Sequence, residues 1–222
     1  MASDDGFRDF FEAATGSTPF PFQERFAREA PQLVRVPTGL GKTAMAAVGW
    51  LWGRFGGDQN LKKNTPRRLV YCLPMRVLVE PTRENAVIWL HNLGLLAGTA
   101  EFDEQAGKKK LRSYTPDWSD PSKVAVHVLM GGEDEGEWDI YPEREAIIIG
   151  TQDMLLSRAL NRGYAASRSR WPMQFGLLHT DCLWIFDEIQ LMEAVLRAAD
   201  LRASRTAEQR AVGRINEPAV HA

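Results

Sequence analysis

The chain has 222 residues, of which 44% are hydrophobic, 25% charged and 9% aromatic, with a formal net charge of −2. That length suits one large domain or two small ones, and the composition excludes a disordered chain. A near-neutral balance gives no overall attraction to nucleic acid, so any such contact has to come from a local patch.

The amino terminus, Met1-Ala-Ser-Asp-Asp, is acidic and lacks the basic and apolar regions of a signal peptide. Further on, Leu33–Val36 is a short apolar run that reads as a buried strand. It leads through Pro37–Thr43 into an Ala- and Trp-rich segment, Thr43–Phe55, with helical character and a stop at Gly56-Gly57. The longest apolar stretch, Ala44–Gly53, is far short of the roughly 20 residues a membrane span needs. Leu69–Leu73 reads as a second buried strand. In Thr82–Leu96, the residues Ala86, Trp89, Leu90, Leu93 and Leu96 fall on one face at helical spacing. Gly98–Lys123, with Lys108-Lys109-Lys110, reads as a polar surface excursion.

Val124–Met130 is the next strand, Glu133–Glu145 an acidic loop, and Ala146–Ile149 a further strand. Gln152–Asn161 is helical, with Leu155, Leu156 and Leu160 on one side. Cys182–Phe186 is the last strand. Both cysteines, Cys72 and Cys182, lie in these apolar runs, so they read as reduced core residues in a cytoplasmic protein without membrane association. Alternating buried strands and helices predict an α/β fold: a mainly parallel central sheet flanked by helices, with ligands at the carboxyl ends of the strands. The last 32 residues hold eight Ala and five Arg with no closing strand. Residues 193–222 therefore read as a poorly ordered tail behind a domain spanning 1–192.

The strongest chemical signal is Pro37-Thr38-Gly39-Leu40-Gly41-Lys42-Thr43 between a predicted strand and a predicted helix. Glycines let the backbone wrap a phosphate with its N–H groups pointing inward, and the helix N-terminus adds positive potential. Lys42 then reaches the outer phosphates, and the Thr43 hydroxyl binds Mg²⁺. The first glycine of the general phosphate-loop pattern is replaced here by Val36.

Asp187 and Glu188 follow the strand Cys182–Phe186 directly, at the sheet edge where the phosphate loop opens. Asp187 suits a Mg²⁺ site, held through water. Glu188 suits orientation or deprotonation of an attacking water. The plainer alternative is an acid pair capping the next helix. In Arg158, Arg162, Tyr164, Arg168, Arg170 and Trp171, cations alternate with aromatics. This pattern suits a single-strand channel wall or, equally, a solvated basic loop.

These residues together resemble the first motor domain of a superfamily 2 helicase. Phe20-Pro-Phe-Gln23 is similar to the family's Q motif, which implies that Gln23 reads an adenine edge. Pro37–Thr43 resembles motif I. Leu73-Pro74-Met-Arg76-Val-Leu-Val-Glu-Pro-Thr82 resembles motif Ia, which implies that Pro74 and Arg76 touch single-stranded nucleic acid. Gly150-Thr151-Gln152 is similar to a later nucleic-acid contact of that domain. Asp187-Glu188-Ile-Gln190 resembles motif II, with Gln190 where His or Asp is commoner.

Val128-Leu-Met-Gly131-Gly132-Glu, Trp138, Tyr141-Pro-Glu-Arg144, Gly150–Leu160 and Arg170–Leu178 narrow the likeness. They resemble the CRISPR-associated helicase-nuclease of type I systems, in its type U or G variant, over about residues 18–192. The resemblance implies a RecA-like P-loop fold, Mg-ATP as cofactor and a 3′-to-5′ motor on single-stranded DNA, recruited by an RNA-guided surveillance complex. The Ser-Ala-Thr motif III, the second motor domain and a His-Asp nuclease do not occur in the sequence. The expectation is therefore a truncated or frame-shifted product that binds nucleotide weakly and hydrolyses it very slowly. A general superfamily 2 restriction or repair ATPase fragment and a non-catalytic nucleotide-binding remnant are the other readings.

Overall fold

The computed structural model describes residues 4–29, 31–105, 108–131, 138–163 and 166–192. The chain divides into two units, Met1–Asp187 and Glu188–Ala222, so the division falls ahead of the boundary expected at residue 192. The expected tail, the Gly132-Glu133 dipeptide and Tyr164 lie outside the described residues.

The first unit is an α/β structure. Its main sheet holds β1 (Arg68–Leu73), β4 (Ala125–Leu129), β5 (Ala146–Thr151) and β6 (Cys182–Phe186), in the order β4-β5-β1-β6. Every pairing is parallel. All six residues of β1 and of β5 are buried, which explains why their sequences read as unbroken apolar runs rather than alternating ones. β6 forms one edge of this sheet and is only half-buried.

Helices cover the sheet. α3 (Lys42–Phe55) and α5 (Arg76–Asn92) share a core with Leu69, Tyr71, Leu73, Ile147 and Ile149, and α1 (Asp4–Thr15) adds Phe7 and Phe11 to it. α2 (Pro21–Glu29) packs against α3. The short α4 (Gln59–Asn64) is capped by the Asp58 carboxylate, which accepts from the Asn60 and Leu61 amides. α6 (Gln152–Ala159) and α7 (Trp171–His179) pack on each other, α6 against β1 and β5 and α7 against β6.

Three sequence expectations change. Leu33–Val36 forms no strand: Leu33 is 42% exposed, and no ladder includes the run. Arg35 interrupts its apolar pattern, and strand propensity without a paired neighbour does not make a strand. The polar excursion after Gly98 is instead an antiparallel pair, β2 (Thr99–Gln105) and β3 (Lys108–Thr115). Asp103 lies opposite Lys110 and Glu104 opposite Lys109, so charges of opposite sign face each other across the ladder. Phe102, Leu111 and Tyr114 pack against the core from this pair. α5 begins six residues earlier than the periodicity suggested, with Pro81 inside it. The N–H that Pro81 lacks would have met the carbonyl of Val77, a residue 70% exposed.

Several charged groups are buried with partners. Arg54 on α3 donates to both oxygens of Glu145, and also to the carbonyls of Lys62 and Thr65. Arg68 donates to the carbonyls of Pro142 and Thr180, which holds the loops at the amino ends of β5 and β6. His127 on β4 stacks on Trp118 at 4.5 Å between ring centroids. Its Nε2 has no hydrogen-bond partner among the described residues.

Burial pushes the His127 imidazole down to about 3, against the opposing pull of Asp139. The folded protein therefore holds this ring neutral, while the unfolded chain takes up a proton near pH 6.5. The contribution is fully present above pH 6.5 and is lost as the pH falls toward 3. The slope approaches about 1.4 kcal/mol per pH unit at its steepest. In His127→Phe, the fall in unfolding midpoint between pH 7 and pH 4.5 should be shallower than in the wild type. Denaturant titrations across that range measure it; parallel curves for the two proteins would contradict this assignment.

Candidate functional site

The carboxyl ends of the parallel strands lie along one edge of the sheet, and there Lys42, at the start of α3, meets Asp187, just past β6. The Pro37–Gly41 loop is exposed and reaches α3 through two glycines in the left-handed region, Gly39 with φ 83° and Gly41 with φ 76°. Gly41 is the N-cap of α3 and provides no side-chain cap. The first N–H groups of the helix therefore have no side-chain oxygen from the cap residue and open toward the loop mouth. Lys42 and Thr43 stand in that first turn, both half-buried.

Gln23 on α2 supports this loop from behind. Its Nε2 donates to the Gly41 carbonyl at 3.0 Å, and its Oε1 accepts from the Phe20 amide at 2.8 Å. The side chain is 2% exposed. The residue expected at an adenine edge is, in this structure, engaged with the loop backbone. Phe20 and Phe22 stack beside it with ring centroids 5.8 Å apart.

Asp187 follows β6, and its amide still donates to the Cys72 carbonyl at 3.1 Å, continuing the β1 ladder one step past the strand. Its carboxylate meets the side chains of Tyr71 and Lys42. Oδ2 accepts from the Tyr71 hydroxyl at 2.8 Å, and Oδ1 lies 3.9 Å from Lys42 Nζ. The Lys42 and Asp187 side chains are 23% and 17% exposed, so the pair sits at the mouth of the crevice rather than in bulk water. Glu188, the first residue of the second unit, has a left-handed φ of 53°, and its carboxylate accepts from Gln190.

Pro74 is half-buried after β1, and Arg76 is exposed at the start of α5. A methyl group on Gly131, just beyond β4, would come within 3.1 Å of Arg76 Nη2, so the guanidinium lies over that glycine. Gly150 is closed in by Leu129 and Leu155, with no room for a side chain. Thr151 is buried as the N-cap of α6, and Gln152 opens that helix, half-buried.

The basic stretch after α6 divides. Arg158 is not on a channel wall: it is 1% exposed and donates to the Met154 carbonyl. Helical spacing places it on the buried side of α6 beside Met154 and Leu155. Arg170 forms a two-pronged ion pair with Asp139, which is fully buried and also accepts from Gln174. Trp171 donates from its ring nitrogen to the Ala166 carbonyl. Arg162 and Arg168 are exposed, with Arg168 over the Trp171 ring.

Tyr71 escaped the sequence reading, although a signal was present. It is the one polar tip between Leu69 and Leu73 on the same face of a buried strand. Asp139 also escaped, because nothing in an acidic loop distinguishes a carboxylate that turns inward.

The donor set fits a magnesium nucleotide. Two left-handed glycines, a helix start without a side-chain cap, one lysine and one threonine match the needs of a phosphate chain. No group of three or more His, Cys, Asp or Glu residues suited to a metal occurs among the described residues. Mg²⁺ commonly uses one or two carboxylates plus substrate phosphates, so Thr43 and Asp187 are a sufficient protein share. Among the described residues, no helix is long and apolar enough to cross a membrane. No family model, curated protein or solved structure matches the chain.

The loop geometry can be checked directly. Gly41→Ala meets two penalties: a left-handed φ, at about 1–2 kcal/mol, and a Cβ that would lie 2.9 Å from Gln23 Nε2. Gly39→Ala meets the first alone, since nothing lies within 4 Å of its Cβ. Denaturant unfolding should rank Gly41→Ala below Gly39→Ala, and Gln23→Ala should narrow the difference. Equal costs in the presence and absence of the Gln23 amide would refute the contact.

Proposed function

We propose that this chain is the nucleotide-binding half of an ATP-driven DNA helicase, with a RecA-like P-loop fold, of the kind used in CRISPR-type antiviral defence. It acts in the cytoplasm, binds Mg-ATP and single-stranded DNA, and serves an RNA-guided surveillance complex. The observation that carries this reading is the approach of Lys42 Nζ to within 3.9 Å of Asp187 Oδ1. A cation at the start of a helix and an acid at the end of a parallel strand, 145 positions apart in sequence, meet at the edge where such sheets bind ligands.

The roles follow from the side chains. Lys42 neutralises the outer phosphates, and the α3 N–H groups receive phosphate oxygens. Thr43 and Asp187 hold the magnesium ion, which would supply charge neutralisation to the phosphates. Glu188 orients water for attack. Thr38, Gly39, Leu40 and Gly41 wrap the phosphate chain, and Gln23 keeps their backbone in place. On the nucleic-acid side, Arg76 is exposed over Gly131 at the same edge, in line with the α6 start at Thr151 and Gln152. Arg168 is the exposed cation of the later stretch, whereas Arg170 reaches DNA only by leaving Asp139.

Binding of a fluorescent ATP analogue with Mg²⁺ tests the reading. Lys42→Ala should weaken it about 10- to 100-fold, the range expected for losing a charge-assisted phosphate contact. Undiminished binding would remove the nucleotide site. Separately, Arg76→Ala should weaken binding of an oligo-dT strand and lower the salt slope by roughly 0.7, the value of one phosphate contact on a single strand. An unchanged slope would take Arg76 out of the DNA path.

A further inference from the structure

We propose that Tyr71 is a positioning residue for Asp187: its hydroxyl fixes one carboxylate oxygen and so aims the other at Lys42 and the mouth of the phosphate loop. The inference rests on the nucleotide reading above and deepens it.

β1 and β6 run parallel with Tyr71 opposite Ile185, so Tyr71, Ile185 and Asp187 share one face of the sheet. Asp187 is two residues further along, about 6.6 Å at the strand rise. A tyrosine leaning along the strand covers that distance, and its hydroxyl donates to Oδ2 at 2.8 Å. The ring is 2% exposed and belongs to the core with Leu69 and Leu73.

Those two leucines show that apolar packing alone suits this face of β1. A phenol buried here brings a polar group that must be satisfied, and the oxygen that satisfies it belongs to Asp187. Tyr71 is fixed in turn by its strand, which is paired to β5 on one side and to β6 on the other. Asp187 lies one residue beyond the last register pair, Cys72 with Phe186; its amide is bonded to the Cys72 carbonyl, and its carboxylate is oriented by side-chain contacts. The hydroxyl therefore supplies an orientation that the end of an edge strand does not. With Oδ2 held, Oδ1 is the oxygen facing Lys42 at 3.9 Å.

The test separates metal-dependent from metal-independent nucleotide binding in the full chain. A fluorescent ATP analogue is titrated in excess EDTA, and again at stepped Mg²⁺ concentrations, for the wild type, Tyr71→Phe, Asp187→Asn, their double variant and Lys42→Ala. Tyr71→Phe should leave affinity in EDTA within about twofold and raise the Mg²⁺ concentration for half-saturation about five- to tenfold, the scale of one hydrogen bond to a charged group. In the Asp187→Asn background, the same substitution should add nothing. Tyr71→Met, which also lacks the hydroxyl, repeats the measurement with a different core filling, and thermal melting reports folding of each variant.

A Mg²⁺ curve that overlays the wild type overturns the positioning role. So does an equal loss with and without Mg²⁺, or an effect of Tyr71→Phe that persists in the double variant. If Lys42→Ala binds as the wild type does, or the wild type binds no nucleotide, the nucleotide reading fails and takes this inference with it.

Discussion

The parallel pairing of β6 with β1 is the constraint on which the site depends. It sets Tyr71 opposite Ile185 and carries the Asp187 amide onto the Cys72 carbonyl. A slip of one residue would turn Tyr71 and Asp187 to opposite faces, because side chains alternate along a strand. The register is fixed by what lies on the two faces: Leu69, Tyr71, Leu183 and Ile185 belong with the core beneath α3 and α5, and Trp184 lies on the other face, with its ring nitrogen bonded to the Leu178 carbonyl of α7. The same packing that buries the sheet thus determines which oxygen of Asp187 faces Lys42.

A second theme is the number of charged groups that serve architecture. Arg54 ties α3 to Glu145 at the start of β5, while Arg68 binds carbonyls of the loops leading into β5 and β6. Arg170 and Gln174 converge on the buried Asp139. Removing a charge from water is costly, and partners recover that cost only when the geometry is good. Each of these arginines makes several hydrogen bonds to groups far away in sequence, as a planar guanidinium with five donors allows. They join the connecting loops to the sheet at positions where aliphatic side chains could not satisfy loop carbonyls.

Much of this was legible from sequence where pattern and mechanism coincide. β1, β4 and β5 stood out as apolar runs because parallel strands are buried on both faces, and β6 stood out as one although it is a half-buried edge strand. α3 and α6 stood out through their caps and periodicity. The glycines of the Pro37–Gly41 loop, Lys42 and Asp187 could be singled out because their chemistry constrains neighbouring positions, and the structure brings Lys42 and Asp187 together. Leu33–Val36 failed as a strand because ladder pairing is a tertiary property. The β2 and β3 pair was hidden because a polar stretch does not display its opposed charges across the ladder or its few core contacts, such as Phe102 against His91 of α5. Arg158 and Arg170 looked like a nucleic-acid surface because sequence shows a cation but not the carboxylate or carbonyl it meets. The role of Gln23 was hidden for the same reason: both ends of its amide bond backbone groups, and the Gly41 carbonyl lies 18 residues away.

The site joins a rigid centre to a looser rim. β1 is fully buried and paired on both sides, whereas β6 is half-buried, and no strand among the described residues pairs with its outer edge. Local stability follows such differences, since an element with fewer buried contacts opens at lower cost. Asp187 stands at the end of the looser strand, and Lys42 opens α3 directly after an exposed loop. Each is nevertheless tied to a buried residue, Asp187 through the Tyr71 hydroxyl and the loop through the Gln23 amide. The two charged groups are therefore held near each other from behind, although both stand at element ends. The precision of the site derives from two uncharged hydrogen-bonding side chains buried behind it.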